Sequence, residues 1–218
     1  MVPLRFCSIP RSSFSAQIKS MTPQVDLPTE LALFVLALCW LGFGAILVVG
    51  KRGAEKSTKR QDFKSHAGFF LQCLGYAICF SYGRKYFSPI LRMSQTAEWL
   101  VAAFAALIAI ASTWFCFAAA RALGKHWALV ARVIEGHELI RRGPYAVVRN
   151  PIYLAMLGML IATGLIVSKW QSLAVATIVF MIGTEIRIRS EEKLLREALG
   201  RQFDEYAAEV PAFIPRVF

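Results

Sequence analysis

Two polar segments flank the last apolar stretch of this chain, and their residue types suit capture of a charged small molecule at a membrane edge. The first is His137-Glu-Leu-Ile-Arg-Arg-Gly-Pro-Tyr145, running on to Arg149-Asn-Pro-Ile-Tyr153. The second is Glu185-Ile-Arg-Ile-Arg-Ser-Glu-Glu192, continuing to Gly200, Phe203, Tyr206 and Pro211. Arg187 and Glu191 stand four residues apart and so share one face of a helix; Glu185 and Arg189 form a second such pair on another face. A carboxylate such as Glu191 pairs an amino group, and the planar fork of Arg187 holds a carboxylate or phosphate. Tyr145 and Tyr153 offer aromatic faces to a cation. Polar groups at the ends of membrane helices are expensive when unpaired, so such a cluster marks a site. The bland alternative is a snorkelling border with two surface ion pairs, each worth well under about 1 kcal/mol. Against it, Glu185 directly follows an apolar run, where a solvated border normally begins with lysine or arginine.

The elements that must position these residues are readable from punctuation and period. Gly136 and Gly143-Pro144 interrupt the linker before the first segment's end and predict a turn. Asn150 is a good N-cap, and Pro151 suits the first helical position because its missing N–H would be orphaned anyway. By spacing alone, a turn followed by a helix start explains these residues as well as a site does. Beyond Glu191, Leu195, Leu199, Phe203, Tyr206 and Val210 recur every three or four residues. That stripe predicts an amphipathic helix on the membrane face or over the mouth of a bundle.

Composition places the whole in a membrane. The 218 residues are 56% hydrophobic and 18% charged, with a mean hydropathy of +0.50, whereas a soluble domain carries about a quarter charged residues. Apolar runs at 31–49, 69–83, 99–120, 152–167 and 170–186 predict five spans, or four if 69–83, which carries Gln72 and Tyr76, is re-entrant. Ser168 and Lys169 alone separate the last two, which predicts a tight helical hairpin. The expectation is an all-α polytopic bundle with a C-terminal amphipathic helix, one domain over 31–218. Residues 1–30 read as a disordered leader or as a misassigned start with Met21 first.

Most of the 25 lysines and arginines fall in the segments after the first, third and fifth spans, which puts those segments and the C-terminus in the cytosol and the N-terminus outside. The bacterial inner membrane is the expected location. The net charge of +11 reads as topology and contact with anionic lipid, with no nucleic-acid partner. The five cysteines and three histidines show no metal-ligand spacing, so neither a metal nor a disulfide framework is expected.

Taken in order, His137-x-Leu-Ile-x-x-Gly-Pro-Tyr145, Arg149-Asn-Pro-x-Tyr153, an apolar hairpin, then Arg187-x3-Glu191-Glu-x-x-Leu195 with Gly200, Phe203, Tyr206 and Pro211 resembles the isoprenylcysteine carboxyl methyltransferase family, which includes phospholipid N-methyltransferase relatives. The similarity covers roughly 121–215. It implies S-adenosylmethionine bound on the cytosolic side, among the last two helices, the linker before them and the C-terminal helix. It places His137, Glu138, Leu139, Ile140, Tyr145, Asn150, Pro151, Ile152 and Tyr153 around that cofactor, Glu191 as the acid that meets it, and Arg187 as the catalytic basic residue facing the substrate. Two positions depart from the pattern: Asn150 stands where the eukaryotic enzymes have histidine, and Phe203 where tyrosine is common. The implied acceptor is lipophilic, an isoprenoid thiol or carboxylate or a lipid amine. The competing readings are an NADPH-dependent membrane reductase of the sterol-reductase kind and a non-catalytic lipid-binding membrane protein.

Overall fold

The computed structural model describes residues 27–53, 63–81, 95–124 and 139–213. Five long helices account for most of them: α1 (Leu27–Gly53), α2 (Phe63–Ser81), α3 (Gln95–Leu123), α4 (Pro151–Val167) and α5 (Trp170–Leu199). A short 3-10 turn, Gly143–Ala146, precedes α4, and a final helix α6 (Arg201–Glu209) follows α5. The described residues contain no strand. Helices stand at all five apolar runs, but three of them are long and apolar enough to cross a membrane: Leu27–Val49, Thr96–Leu123 and Trp170–Leu199. The apolar helix Pro151–Val167 is shorter, and the 19 residues of α2 carry more polar groups. The leader lies outside the described residues except for its last four, which form the first turn of α1.

α4 is the hub. It is apolar on every side, as a helix surrounded by others must be. Ala155, Met159, Ala162 and Ile166 join the core of α1 and α3, where Leu36, Phe43, Ala105 and Ala109 are buried. Tyr153, Leu157 and Leu160 point the other way, into a second core with Cys79 of α2 and Ala176, Phe180 and Ile188 of α5. Lipid tails are as apolar as leucine, so helices in a membrane gain little by simple burial; close fit and interhelical hydrogen bonds hold them together. Here Trp40 Nε1 donates to Thr163 Oγ1 at 3.1 Å, and Tyr76 Oη donates to the Met156 carbonyl at 2.7 Å.

The sharpest fit is between α2 and α5, which cross with glycine on both sides. A Cβ at Gly183 would lie 2.6 Å from the Gly68 carbonyl oxygen and 2.9 Å from the Gln72 nitrogen. One at Gly68 would lie 2.7 Å from the Gly183 carbonyl oxygen. The backbones therefore touch, and α2 is packed mainly along α5 while α4 is packed mainly along α3. The tight turn at Ser168-Lys169 is present, yet each arm of the hairpin finds its principal partner elsewhere.

Two turns shape the end that carries the motifs. Gly143 opens the 3-10 turn with φ +62, in the left-handed region that favours glycine. Gly200 ends α5 at φ 51, ψ −127, a conformation open essentially to glycine alone. The sequence stripe is thereby split: Leu195 and Leu199 stay on α5, while α6 turns back to bury Phe203 and Tyr206. Arg196 and Asp204 meet at 2.7 Å across the corner.

The α2–α5 contact makes a direct prediction. Gly183→Ala should destabilise the protein by about 1–3 kcal/mol, because the obstructing atoms are backbone and cannot step aside. Gly44→Ala on α1, where a Cβ meets nothing within 4 Å, should be neutral or stabilising. Thermal unfolding of the two variants in the same detergent checks this, and equal unfolding temperatures would contradict it.

Candidate functional site

The site forms where α5 leaves the apolar core. Arg187 is 4% exposed, a costly place for a cation, and several neighbours compensate. Nη2 pairs with Glu191 Oε1 at 3.3 Å, as the four-residue spacing predicts. Nη1 donates to Gln72 Oε1 at 3.2 Å, and Gln72 Nε2 in turn donates to Thr184 Oγ1 at 2.9 Å. The guanidinium carbon lies 4.9 Å from the centre of the Tyr153 ring and 5.6 Å from that of Phe69. Ring faces at such distances attract a cation, more strongly where water is excluded.

Glu191 is tied to the same group from the other side. Tyr153 Oη donates to Glu191 Oε1, the oxygen that Arg187 also uses. Both bonds end on Oε1, and the Oε2 oxygen carries neither. Tyr145 is buried nearby: burial pushes its phenol well above the ordinary range, and the charge of Glu191 pushes it further. Tyr145, Tyr153, Arg187 and Glu191, drawn from two separate motifs, are thus brought together. The second pair, Arg189 with Glu185 at 2.6 Å, is solvent-exposed on both sides and fits the bland reading of a membrane border.

The rest of the first motif does a different job, strapping the C-terminal segment down. Arg149 reaches Glu192 Oε1 through Nε at 2.9 Å and Nη2 at 2.8 Å. Its Nη1 donates to the carbonyls of Ala207, at 2.8 Å, and Val210, and its backbone N–H donates to Pro211 O at 2.9 Å. Asn150 Nδ2 donates to Ala212 O at 2.8 Å. Asn150 does occupy the N-cap position of α4 with Pro151 next, but its side chain makes no cap bond because the strap has taken it. Arg141 Nη2 donates to Gln202 O at 2.6 Å, and its guanidinium lies over the Tyr206 ring. Burial pushes the Tyr206 phenol up to about 12, against the opposing pull of Arg149 and Arg141. It stays protonated at neutral pH and donates to Tyr145 O at 2.6 Å.

Among the other residues assigned from the sequence, Pro151 is buried at the start of α4. Ile152 packs against the α1–α3 core, on the side of α4 away from Tyr153. Leu139 and Ile140 are half-buried just before the turn, and His137 and Glu138 lie outside the described residues. Sequence reasoning missed the contribution of α2. Gln72 and Phe69 come from a helix whose polar residues only weakened its reading as a span, and Thr184 hid in an apolar run. A glutamine within an apolar stretch was the available signal, since such a group needs a buried partner.

Comparison with known proteins places part of the chain beside known sequences. Residues 100–202 match the sequence model of the phospholipid methyltransferase family. The chain is 31% identical over 96 residues to the nickel-cobalt-cadmium resistance protein NccN of Alcaligenes xylosoxydans, covering 44% of this chain and 45% of that protein. It is 34% identical over 84 residues to protein-S-isoprenylcysteine O-methyltransferase B of Arabidopsis thaliana, covering 38% of this chain and 42% of that one. The chain thus spans less than half the length of these relatives. Residues 100–202 are similar to the phospholipid methyltransferase family, and the resemblance to isoprenylcysteine methyltransferases drawn from the motifs holds.

Proposed function

We propose that the chain is an integral membrane methyltransferase that uses S-adenosylmethionine and acts on a lipophilic acceptor. The observation that carries this reading is the buried Tyr153–Glu191–Arg187 group, in which both donors take the same carboxylate oxygen. The donor set fits the cofactor. Oε2 of Glu191 remains for an ammonium, and Tyr145 and Tyr153 supply aromatic surface. Leu139 and Ile140, preceded by His137 and Glu138, bring the linker to the same end as the strap, where Asn150, Pro151 and Ile152 begin α4. When bound, S-adenosylmethionine supplies an electrophilic methyl group on a sulfonium sulfur.

With a carboxylate or thiolate acceptor the chain's own residues then have to align and shield rather than trade protons, because methyl transfer to an ionised nucleophile is an in-line displacement. An amine acceptor attacks only in its neutral form, its proton released to water. Glu191 fixes one end of the cofactor, and the strap held by Arg149 and Asn150 closes the end of the bundle against water. Arg187 is the catalytic residue on the acceptor side, where its charge attracts a carboxylate, thiolate or phosphate. Phe69, half exposed, is the side chain between Arg187 and the outer face of α2. A lipid acceptor entering sideways from the inner leaflet meets the site there, while the cofactor enters from the cytosol.

Two outcomes follow. S-adenosylhomocysteine should raise the unfolding temperature of the detergent-purified protein. Glu191→Gln, which keeps the size of the side chain and an oxygen for Tyr153, should weaken binding by roughly 10–100-fold, the worth of a charge-assisted bond. An undiminished thermal shift in that variant would remove Glu191 from the cofactor site. Protein in vesicles, given S-adenosylmethionine with a tritium-labelled methyl group, should move label into organic-extractable lipid when a prenylated cysteine carboxylate or phosphatidylethanolamine is present. Label confined to the aqueous phase with both acceptors would contradict a lipophilic substrate.

A further inference from the structure

Among the ion pairs around the site, one is out of line. Arg149 meets Glu192 at 2.8 Å and Arg189 meets Glu185 at 2.6 Å, within the range of strong charge-assisted pairs. Arg187, the most buried of these arginines, stands 3.3 Å from Glu191 and reaches only its Oε1 oxygen. In a water-poor setting the attraction between them is at its greatest, and an unrestrained guanidinium there closes onto both carboxylate oxygens as a bidentate fork.

A restraint comes from α2. Gln72 Oε1 takes Nη1 of Arg187 at 3.2 Å, so this end of the fork is directed away from Glu191. Gln72 cannot follow Arg187 toward Glu191, because its own amide nitrogen is bonded to Thr184 Oγ1 at 2.9 Å. Its amide orientation is dictated by chemistry: arginine offers only donors, so the oxygen must face Arg187 and the nitrogen the threonine hydroxyl. The Gly68–Gly183 contact brings α2 close enough for this bond to form.

We infer that Gln72 is a positioning residue that holds Arg187 off Glu191 and so keeps the second oxygen of Glu191 open for the cofactor's ammonium. Thr184 anchors it. This inference rests on the methyltransferase reading and extends the site to a helix that lies outside residues 100–202, the segment matched by the family. Without Gln72 the arginine pairs with both oxygens, and the cofactor has to break that pair before it binds.

The test is a calorimetric cycle on the full chain in detergent with S-adenosylmethionine as the probe. Gln72→Leu should raise the Kd about tenfold, the loss expected when one charge-assisted bond to the ligand must be bought back. In an Arg187→Met background the same change should shift the Kd by less than about twofold, since nothing remains to close onto Glu191. Thr184→Val, which keeps the shape and the arginine, should weaken binding in the same direction as Gln72→Leu, and Thr184→Ser should match the parent protein. That series carries the test if Arg187→Met does not fold. Equal losses from Gln72→Leu with and without Arg187, or an unchanged Kd in Gln72→Leu and Thr184→Val, would overturn the inference and leave the cofactor assignment standing. Absence of S-adenosylmethionine binding by the parent protein would instead remove the reading on which it rests.

Discussion

A guanidinium withdrawn from water at the end of a membrane-type bundle is the constraint from which much of this structure follows. An isolated buried cation costs several kcal/mol, and breaking a buried pair costs roughly 3–5 kcal/mol because the other charge is left behind. Arg187 is therefore surrounded: a carboxylate one turn on, a glutamine from α2, and an aromatic ring on each side. Each partner imposes a condition. Tyr153 requires α4 to begin where it does, Gln72 and Phe69 require α2 to lie against α5, and that contact requires glycine at 68 and 183. Replacing such a cluster with apolar residues commonly preserves or raises stability. The proposed cofactor site gives the cluster a role beyond folding.

The C-terminal segment is held by the same logic at lower cost. Arg149 and Asn150 spend their donors on carbonyls of the last described residues, groups that a non-helical segment cannot satisfy by itself. Gly200 supplies the backbone reversal that lets α6 fold back, and Tyr206 stitches it to the turn at Tyr145. Motif residues that look alike in sequence thus divide into two groups. Tyr145, Tyr153, Arg187 and Glu191 gather around one carboxylate, while Arg149 and Asn150 build the cover.

The local half of this arrangement was legible in the sequence. Arg187 and Glu191 announce their pairing through the four-residue period, and Gly143-Pro144 and Asn150-Pro151 announce a turn and a helix start. The apolar runs mark where helices form, although only three of those helices are long and apolar enough to span. What stayed hidden depends on partners distant along the chain. Gln72 and Arg187 are separated by 115 residues, and no local pattern reports that α2 rather than α4 is the main neighbour of α5. Asn150 shows the same limit. Its type and position predicted an N-cap bond, and a carbonyl 62 residues away won the side chain instead.

The central claim is that Tyr153, Glu191 and the strapped end of the bundle hold S-adenosylmethionine. Calorimetric titration of the unmodified protein, with NADPH titrated in parallel, tests it most directly. The account predicts saturable binding of S-adenosylmethionine at one site per chain and no heat of binding from NADPH. Saturable NADPH binding with none for S-adenosylmethionine would contradict it and assign the same buried charges to a reductase.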